Sequence, residues 1–298
     1  MKLVPRDRRT LGSGVLTSLV AGALLVSAGL AQEATPPADM AAIVGDDGVL
    51  TNCVDPSFPP MEFFEDQNAT TPVGFDIDLI NAIGARWGVE VQHIPTEFTG
   101  LLPALEAGRC DVVASGIYLT AERLETFAAQ PYYNSSIVLM TNADNDEITS
   151  PEDLAGKTVA VQSGTNYVEI MNALNEEVQA AGSPAIDIQL YPDQTDAIQQ
   201  LIVGRAEATI TQDTEAAFRA IAQPGQFKIA YTYDEPQTFG IYHRQDSPKL
   251  SAALRDAVEA MRDDGATVMI AETWSLPVEG VEFNEFESDA TAEATPAG

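Results

Sequence analysis

The sequence predicts an α/β protein of two similar lobes, and three observations carry that reading. Strand-like and helix-like stretches alternate through most of the chain, from about residue 48 to residue 278. A junction of helix, glycine, base and strand occurs twice. Polar residues gather just beyond the predicted strand ends. The 298 residues allow two domains with cores of their own, and a hydrophobic content of 45% is ordinary for a folded chain.

The chain opens on an address. Lys2, Arg6, Arg8 and Arg9 make a basic start, and residues 11–30 are small and apolar. Gly29-Leu30-Ala31 offers a cleavage site before Gln32, so residues 1–31 read as an export signal peptide. An uncleaved anchor is the alternative, and Arg8-Arg9-Thr10-Leu11 faintly resembles a twin-arginine signal. No cysteine stands at the cleavage site to carry a lipid. Residues 32–45 read as a flexible leader and 284–298 as a disordered acidic tail.

Between these ends the elements follow in order. Ile77, Ile80, Ile83 and Trp87 share one face of a helix over Asp76–Trp87, which Gly88 stops. Val89–Ile94 reads as a strand, and Leu101–Ala107 as a helix with Pro103 in its first turn. A strand over Asp111–Ser115 follows. Ser150-Pro151-Glu152-Asp153 starts a short capped helix. A strand over Thr158–Val161 then turns through Ser163-Gly164-Thr165 into a helix over Tyr167–Leu174. A helix over Asp196–Val203, with Thr195 as its cap, leads to a strand over Ala206–Thr211. Leu250, Leu254, Val258 and Met261 form a last helical stripe, with Ile270 and Trp274 on another helix. The junctions Ala107-Gly108-Arg109-Cys110-Asp111 and Val203-Gly204-Arg205-Ala206-Glu207 match in kind, which suggests related lobes.

Charge and motifs exclude several functions. Forty-five acidic against 15 basic residues give a net charge of −30, which repels phosphate backbones and argues against a nucleic-acid partner. Two histidines, His93 and His243, lack metal-ligand spacing. Ser163-Gly164-Thr165 is followed by no Gly-Lys-Ser/Thr, and no Gly-x-Ser-x-Gly elbow is present. No cofactor is implied. Asn68-Ala69-Thr70 and Asn134-Ser135-Ser136 match glycosylation sequons that also arise by chance. Cys53 and Cys110 in an exported chain either form a disulfide or stay as buried thiols, and the sequence leaves both open.

Ligands of open α/β sheets bind beyond the carboxyl ends of the strands. The residues there suit a zwitterion. Arg123 can pair a carboxylate with two hydrogen bonds, and backbone amides at Gly116 and at the Thr165 helix start can add donors. Asp55 and Asp213 can accept from an ammonium group. Phe58 and Phe98 can wall the cavity.

Read together, these segments resemble one family. The ordered run is Asp55-Pro56-Ser57-Phe58-Pro59-Pro60-Met61-Glu62-Phe63, Val73-Gly74-Phe75-Asp76-Ile77-Asp78-Leu79, Phe98-Thr99-Gly100-Leu101-Leu102-Pro103-Ala104-Leu105, Gly108-Arg109-Cys110-Asp111, Ser115-Gly116 with Thr120-Ala121-Glu122-Arg123, and Gln162-Ser163-Gly164-Thr165. It is similar to the extracellular solute-binding proteins of family three, the polar amino-acid-capturing subunits of ABC importers, over roughly residues 48–278. The resemblance implies a two-lobed periplasmic-binding-protein fold of type II. Each lobe would be a mostly parallel sheet flanked by helices, joined by two hinge strands. Lobe 1 would span 46–139 and 238–283, and lobe 2 140–237, with crossings near Val138–Asn142 and Glu235–Gly240. It further implies that Arg123 holds a ligand carboxylate, with Ser115, Gly116 and Thr165 nearby, and that Asp213 and Asp55 hold the ammonium.

Three positions depart from the family pattern. Tyr118 stands where a small hydroxyl residue is usual, Asn166 replaces a frequent glycine or threonine, and Gln162 can touch the ligand side chain. The implied protein is a monomer that binds without chemistry and presents its ligand to a membrane permease. The rival is a cyclohexadienyl-dehydratase-like enzyme on the same fold, in which Arg123 would still hold a carboxylate; a sensor input domain is a weaker one.

Overall fold

The computed structural model describes residues 40, 43, 44, 48–66 and 68–282. The expected signal peptide, most of the leader and the acidic tail lie outside these residues.

Two five-stranded sheets organise the chain, with a small antiparallel ribbon of β2 (Ser57–Phe58) and β3 (Glu62–Phe63) beside the first. In the first, β1 (Val49–Val54) pairs in parallel with β4 (Glu90–Pro95) on one side and β5 (Val112–Val113) on the other. β12 (Gln237–Arg244) then runs antiparallel to β5 and to β6 (Phe127–Ser135). In the second, β8 (Thr158–Gln162) pairs in parallel with β9 (Asp187–Tyr191) and β10 (Ala208–Gln212). β7 (Ile137–Asn142) runs antiparallel to β10 and to β11 (Phe227–Thr232). The sheets are thus mixed where mostly parallel ones were expected. The strands that carry the chain between lobes enter each sheet antiparallel to the βα units beside them.

The orders are β4-β1-β5-β12-β6 and β9-β8-β10-β7-β11, one plan used twice. The first crossing falls at Ser136, between β6 and β7, earlier than the expected Val138–Asn142, which β7 takes into the second sheet. The second falls at residues 233–236; from Gln237 the chain is already back in the first sheet.

Local chemistry explains the elements that frame the cleft. α1 (Phe75–Trp87) buries Leu79, Ile80, Ile83 and Trp87 on one face and ends at Gly88, whose left-handed φ of 67° lets its N–H reach back to the last turn. α2 (Phe98–Glu106) starts three residues before the expected helix, so Pro103 lies inside it and not in its first turn. That earlier start puts Phe98 at the helix tip. α3 (Ala121–Thr126) is capped by the Thr120 side chain, which accepts from the amide of Arg123. α4 (Asn166–Ala180) begins after the three-residue turn 163–165 that follows β8, and α6 (Asp213–Ala222) begins directly past β10. α5 (Gln194–Ile202) is capped by Asp193, whose carboxylate accepts from Asp196 N at 2.7 Å, not by Thr195. The carboxylate is the stronger acceptor, and it starts the helix earlier.

α7 (Pro248–Asp263) and α8 (Ala266–Thr273) return to the first lobe and pack on α1. Val44, assigned to the flexible leader, is buried in the same core, with Met40 and Ile43 against it. Cys53 and Cys110 are bridged, with Cα atoms 5.8 Å apart, where β1 and β5 run side by side. No described helix is long and apolar enough to cross a membrane.

Candidate functional site

One cavity lies between the facing strand ends of the two lobes, and ten of the eleven sequence-selected residues line it. From the first lobe come Asp55 past β1, Phe58, Phe98, Ser115 and Gly116 past β5, Tyr118, and Arg123 on α3. From the second come Gln162 at the end of β8, Thr165, and Asn166 at the start of α4. Glu62, Tyr167 and Gln212 also line it and were not selected. Glu62 lies within the quoted Asp55–Phe63 run, Tyr167 follows the selected Asn166, and Gln212 precedes the selected Asp213. The space enclosed is small, about 20 Å3, room for about one water. A ligand the size of an amino acid therefore enters only when the lobes part.

Arg123 is aimed by three contacts. Its Nη1 donates to the Tyr118 carbonyl at 2.9 Å, its Nη2 to the Gly164 carbonyl across the cleft at 3.3 Å, and its guanidinium lies 5.9 Å from the Phe98 ring centroid. Tyr242 Oη donates to the same Tyr118 carbonyl at 2.7 Å, fixing that side of the frame. A guanidinium has five N–H donors, so donors remain for an incoming carboxylate.

The acids differ from this cation in being buried. Asp55 is 6% exposed and accepts from Gln162 Nε2 at 2.8 Å. Loss of solvent raises its pKa to about 7, against the lowering effect of the nearby Ser57 hydroxyl and of the Gln162 hydrogen bond. Glu62 is fully enclosed and accepts from Ser115 Oγ at 3.0 Å. Burial first, and then the charge of Asp76, pushes its pKa well above the usual range. Asp76, in the first turn of α1, accepts from Gly116 N and from Tyr132 Oη, both at 2.7 Å. Burial raises its pKa to about 6. Gly116 N therefore faces Asp76 and not the cavity, unlike the role expected of it.

Glycine is required at two places here. At Gly74, with φ 136°, a Cβ would collide with the Met61 carbonyl, so only glycine lets this loop lie against the strand that carries Glu62. At Gly164, with φ 77°, a Cβ would stand 2.8 Å from the Thr99 methyl of the opposite lobe.

Tyr118 and Asp213 are placed differently from the simplest expectation. The Tyr118 ring stacks on Phe239 at 4.8 Å and meets Tyr167 edge-on at 6.3 Å, filling part of the cavity. Burial raises the pKa of its hydroxyl far above the usual tyrosine range, so it stays protonated. Asp213 opens α6 and does not line the cavity. Its Oδ1 accepts from Ser135 Oγ at 2.7 Å, tying α6 to the end of the crossing strand β6.

The lobes also touch directly. Gln212 Nε2 donates to the Gly116 carbonyl at 3.2 Å, Thr195 Oγ1 to the Ser57 carbonyl at 2.9 Å, and the rings of Phe63 and Phe218 lie 5.5 Å apart. No cluster of three or more metal-ligating side chains occurs among the described residues.

A cleft between two mixed α/β sheets, polar at the strand ends and crossed by two connecting strands, defines a solute-binding protein of the two-lobed clamp type. Comparison with known proteins gives the family. Residues 50–277 match the model of the bacterial extracellular solute-binding proteins, family 3, and the chain belongs to that family. It is similar to the L-cystine-binding protein TcyJ of Escherichia coli (strain K12), 30% identical over 278 residues, covering 92% of this chain and 97% of that protein. The arginine-binding protein ArgT of Corynebacterium glutamicum is 28% identical, covering 77% of this chain and 75% of its own length. Among solved structures, an ancestral arginine-binding protein bound to arginine matches with a TM-score of 0.70 and 31% identity, over 76% of this chain and 98% of its own. Family and relatives are solute-binding proteins, not enzymes.

Proposed function

We propose that this protein captures a polar amino acid, or a similar small zwitterion, outside the cytoplasm. It then hands the ligand to the membrane permease of an ABC importer. The observation that carries this reading is the convergence of Arg123, Asp55 and the Phe58 and Phe98 walls from the first lobe with Gln162, Thr165 and Asn166 from the second on one enclosed cavity. Relatives named as cystine- and arginine-binding proteins support it.

Arg123, with Thr165 and Asn166 beside it, takes the α-carboxylate. Asp55 accepts from the α-ammonium, and Asp213 joins it as Tyr118 gives way. Phe58 and Phe98 sandwich the side chain, while Ser115, Gly116 and Gln162 frame the rest. The ligand's contacts with both lobes favour the closed form, which is what the permease reads. The chain acts as a monomer in the periplasm or on the outer face of the membrane, delivered by residues 1–31.

A thermal-melting screen against the common amino acids tests the reading. At least one should raise the melting temperature, because a ligand that binds only the folded form stabilises it. A panel with no shift would sink it.

A further inference from the structure

Two sequons stand outside the ligand-binding account, Asn68-Ala69-Thr70 and Asn134-Ser135-Ser136. The fold treats them oppositely. Asn134 lies within β6, paired with Thr238 of β12, and its Oδ1 accepts from Thr238 Oγ1 at 2.7 Å. Ser135 is buried and holds Asp213, whose amide donates to the Ser136 carbonyl. No enzyme reaches this asparagine amide without prising the sheet apart.

Asn68 has none of these ties. Phe63 and Val73 exchange both backbone hydrogen bonds, at 2.8 and 2.9 Å, so the chain leaves the body of the first lobe and returns at one point. Glu65, Asp66, Asn68 and Thr70 on that excursion are exposed. Asp66 shapes the turn that carries the asparagine: its Oδ1 accepts from Asn68 N at 2.7 Å, and its carbonyl from Ala69 N at 3.1 Å. Among the described residues no hydrogen bond engages the side chain of Asn68 or Thr70. Neither residue lines the ligand cavity. An exposed turn on an exported chain is the setting in which this tripeptide accepts a glycan.

We propose that Asn68 is an N-glycosylation site, modified after export by a transferase that draws on a lipid-pyrophosphate-linked oligosaccharide. This goes beyond ligand capture and rests only on the export part of that reading. In the transfer, Asn68 Nδ2 bonds to the anomeric carbon of the first sugar. The bond from that carbon to the pyrophosphate oxygen breaks, its electron pair leaves with the lipid pyrophosphate, and Nδ2 gives up one proton to a base of the transferase. Thr70 supplies the hydroxyl by which the tripeptide is read. Asp66 is a positioning residue that holds the turn.

Protein purified from the extracytoplasmic fraction of the cells that encode it tests this by intact mass and peptide mapping. The mature chain should be heavier than its sequence by a glycan, carried on the Asn68 peptide and absent from Asn134. Re-expressed in the same cells, Asn68→Gln and Thr70→Ala should lose the addition, and Thr70→Ser should keep it. Asp66→Ala should lower the modified fraction, whereas Asp66→Glu, which keeps a carboxylate acceptor, should retain most of it. Ligand affinity should be the same in all five variants.

An exported chain with the mass of its bare sequence overturns the proposal and leaves ligand capture intact, as does a glycan on Asn134 in place of Asn68. A modified fraction unchanged in Asp66→Ala removes Asp66 from its role. A chain found only in the cytoplasm overturns both the proposal and the export on which it rests.

Discussion

Thr51 of β1 and Thr158 of β8 occupy the same place in their lobes. The amide of each donates to the acid that opens the neighbouring strand, Asp111 in one case and Glu207 in the other. The carbonyl of each accepts that acid's amide. Counting onward from these anchors, Asp55 corresponds to Gln162 and Gly116 to Gln212, and both pairs meet across the cleft. Cys53 and Cys110 correspond to Ala160 and Ala206, which pack together as alanines. One lobe is braced by a covalent bond and presents buried acids. The other offers neutral amides, Gln162 at the position of Asp55 and Gln212 at that of Gly116.

The difference has a physical logic. Carboxylates lose far more solvation than amides when a cleft shuts. Placing the acids on one lobe, already buried, leaves the partner lobe to close with groups that desolvate cheaply. The second lobe does bury an acid near its strand end, Glu215, but Arg219 neutralises it at 3.1 Å. The first lobe's acids have no such partner, which is the asymmetry a ligand can use.

The largest expected effect lies at the residue that both lobes aim. Arg123→Ala should weaken binding of any carboxylate ligand about a hundredfold or more, while melting of the unliganded protein stays close to unchanged. Unaltered affinity in calorimetry would remove Arg123 from the site.

Cutting the brace comes next. The bridge closes a loop with a sequence separation of 57, and replacing both cysteines with alanine should cost about 4 kcal/mol of stability by loop-closure entropy. Urea unfolding measures this directly. A loss near zero would mean that the alanine-packed lobe is as well held as the bridged one.

The acids give a pH signature. Asp55 stands at about 7 and Asp76 at about 6 in the fold, both above the ordinary 3.8. Between about pH 4 and pH 7 the folded chain therefore binds more protons than the unfolded one, and stability falls as pH rises through that window. Asp55→Asn should flatten the decline by roughly 2 to 4 kcal/mol across it, whereas Gln162→Ala, which removes a hydrogen bond that holds the Asp55 pKa down, should not flatten it. Melting curves from pH 4 to pH 8 distinguish them; a slope untouched by Asp55→Asn contradicts the assignment.

The smallest effect is at the rim. Thr195→Val removes one hydrogen bond between the lobes and should weaken ligand affinity by about 1 kcal/mol without touching stability. An unchanged affinity would place this contact outside the closing equilibrium.

Much of this organisation is legible in the sequence because glycine and periodicity mark it. Gly108 and Gly204 both adopt left-handed φ, 69° and 70°, where helix turns into strand. The matched junctions that suggested two related lobes are therefore matched in conformation. The cavity lining was legible because strand ends carry it, and a motif quoted for its order already contained Glu62. What could not be read is whatever depends on pairing between distant segments. The antiparallel strands β6, β7, β11 and β12 are set by crossings between lobes, not by local pattern. Whether Cys53 meets Cys110 depends on β1 lying beside β5. Asp213 shows the limit most plainly: its place past a strand end is legible, but that its carboxylate accepts from Ser135 and lies off the cavity lining is not. A partner 78 residues away leaves no trace in the sequence around Asp213.

Capture of an amino acid between a charged lobe and a neutral one is tested most directly by calorimetric titration of the purified protein with each standard amino acid. The account predicts saturable, one-to-one binding of at least one of them at neutral pH, lost in Arg123→Ala. Saturable binding that survives Arg123→Ala, or a full set of titrations without binding heat, would contradict it.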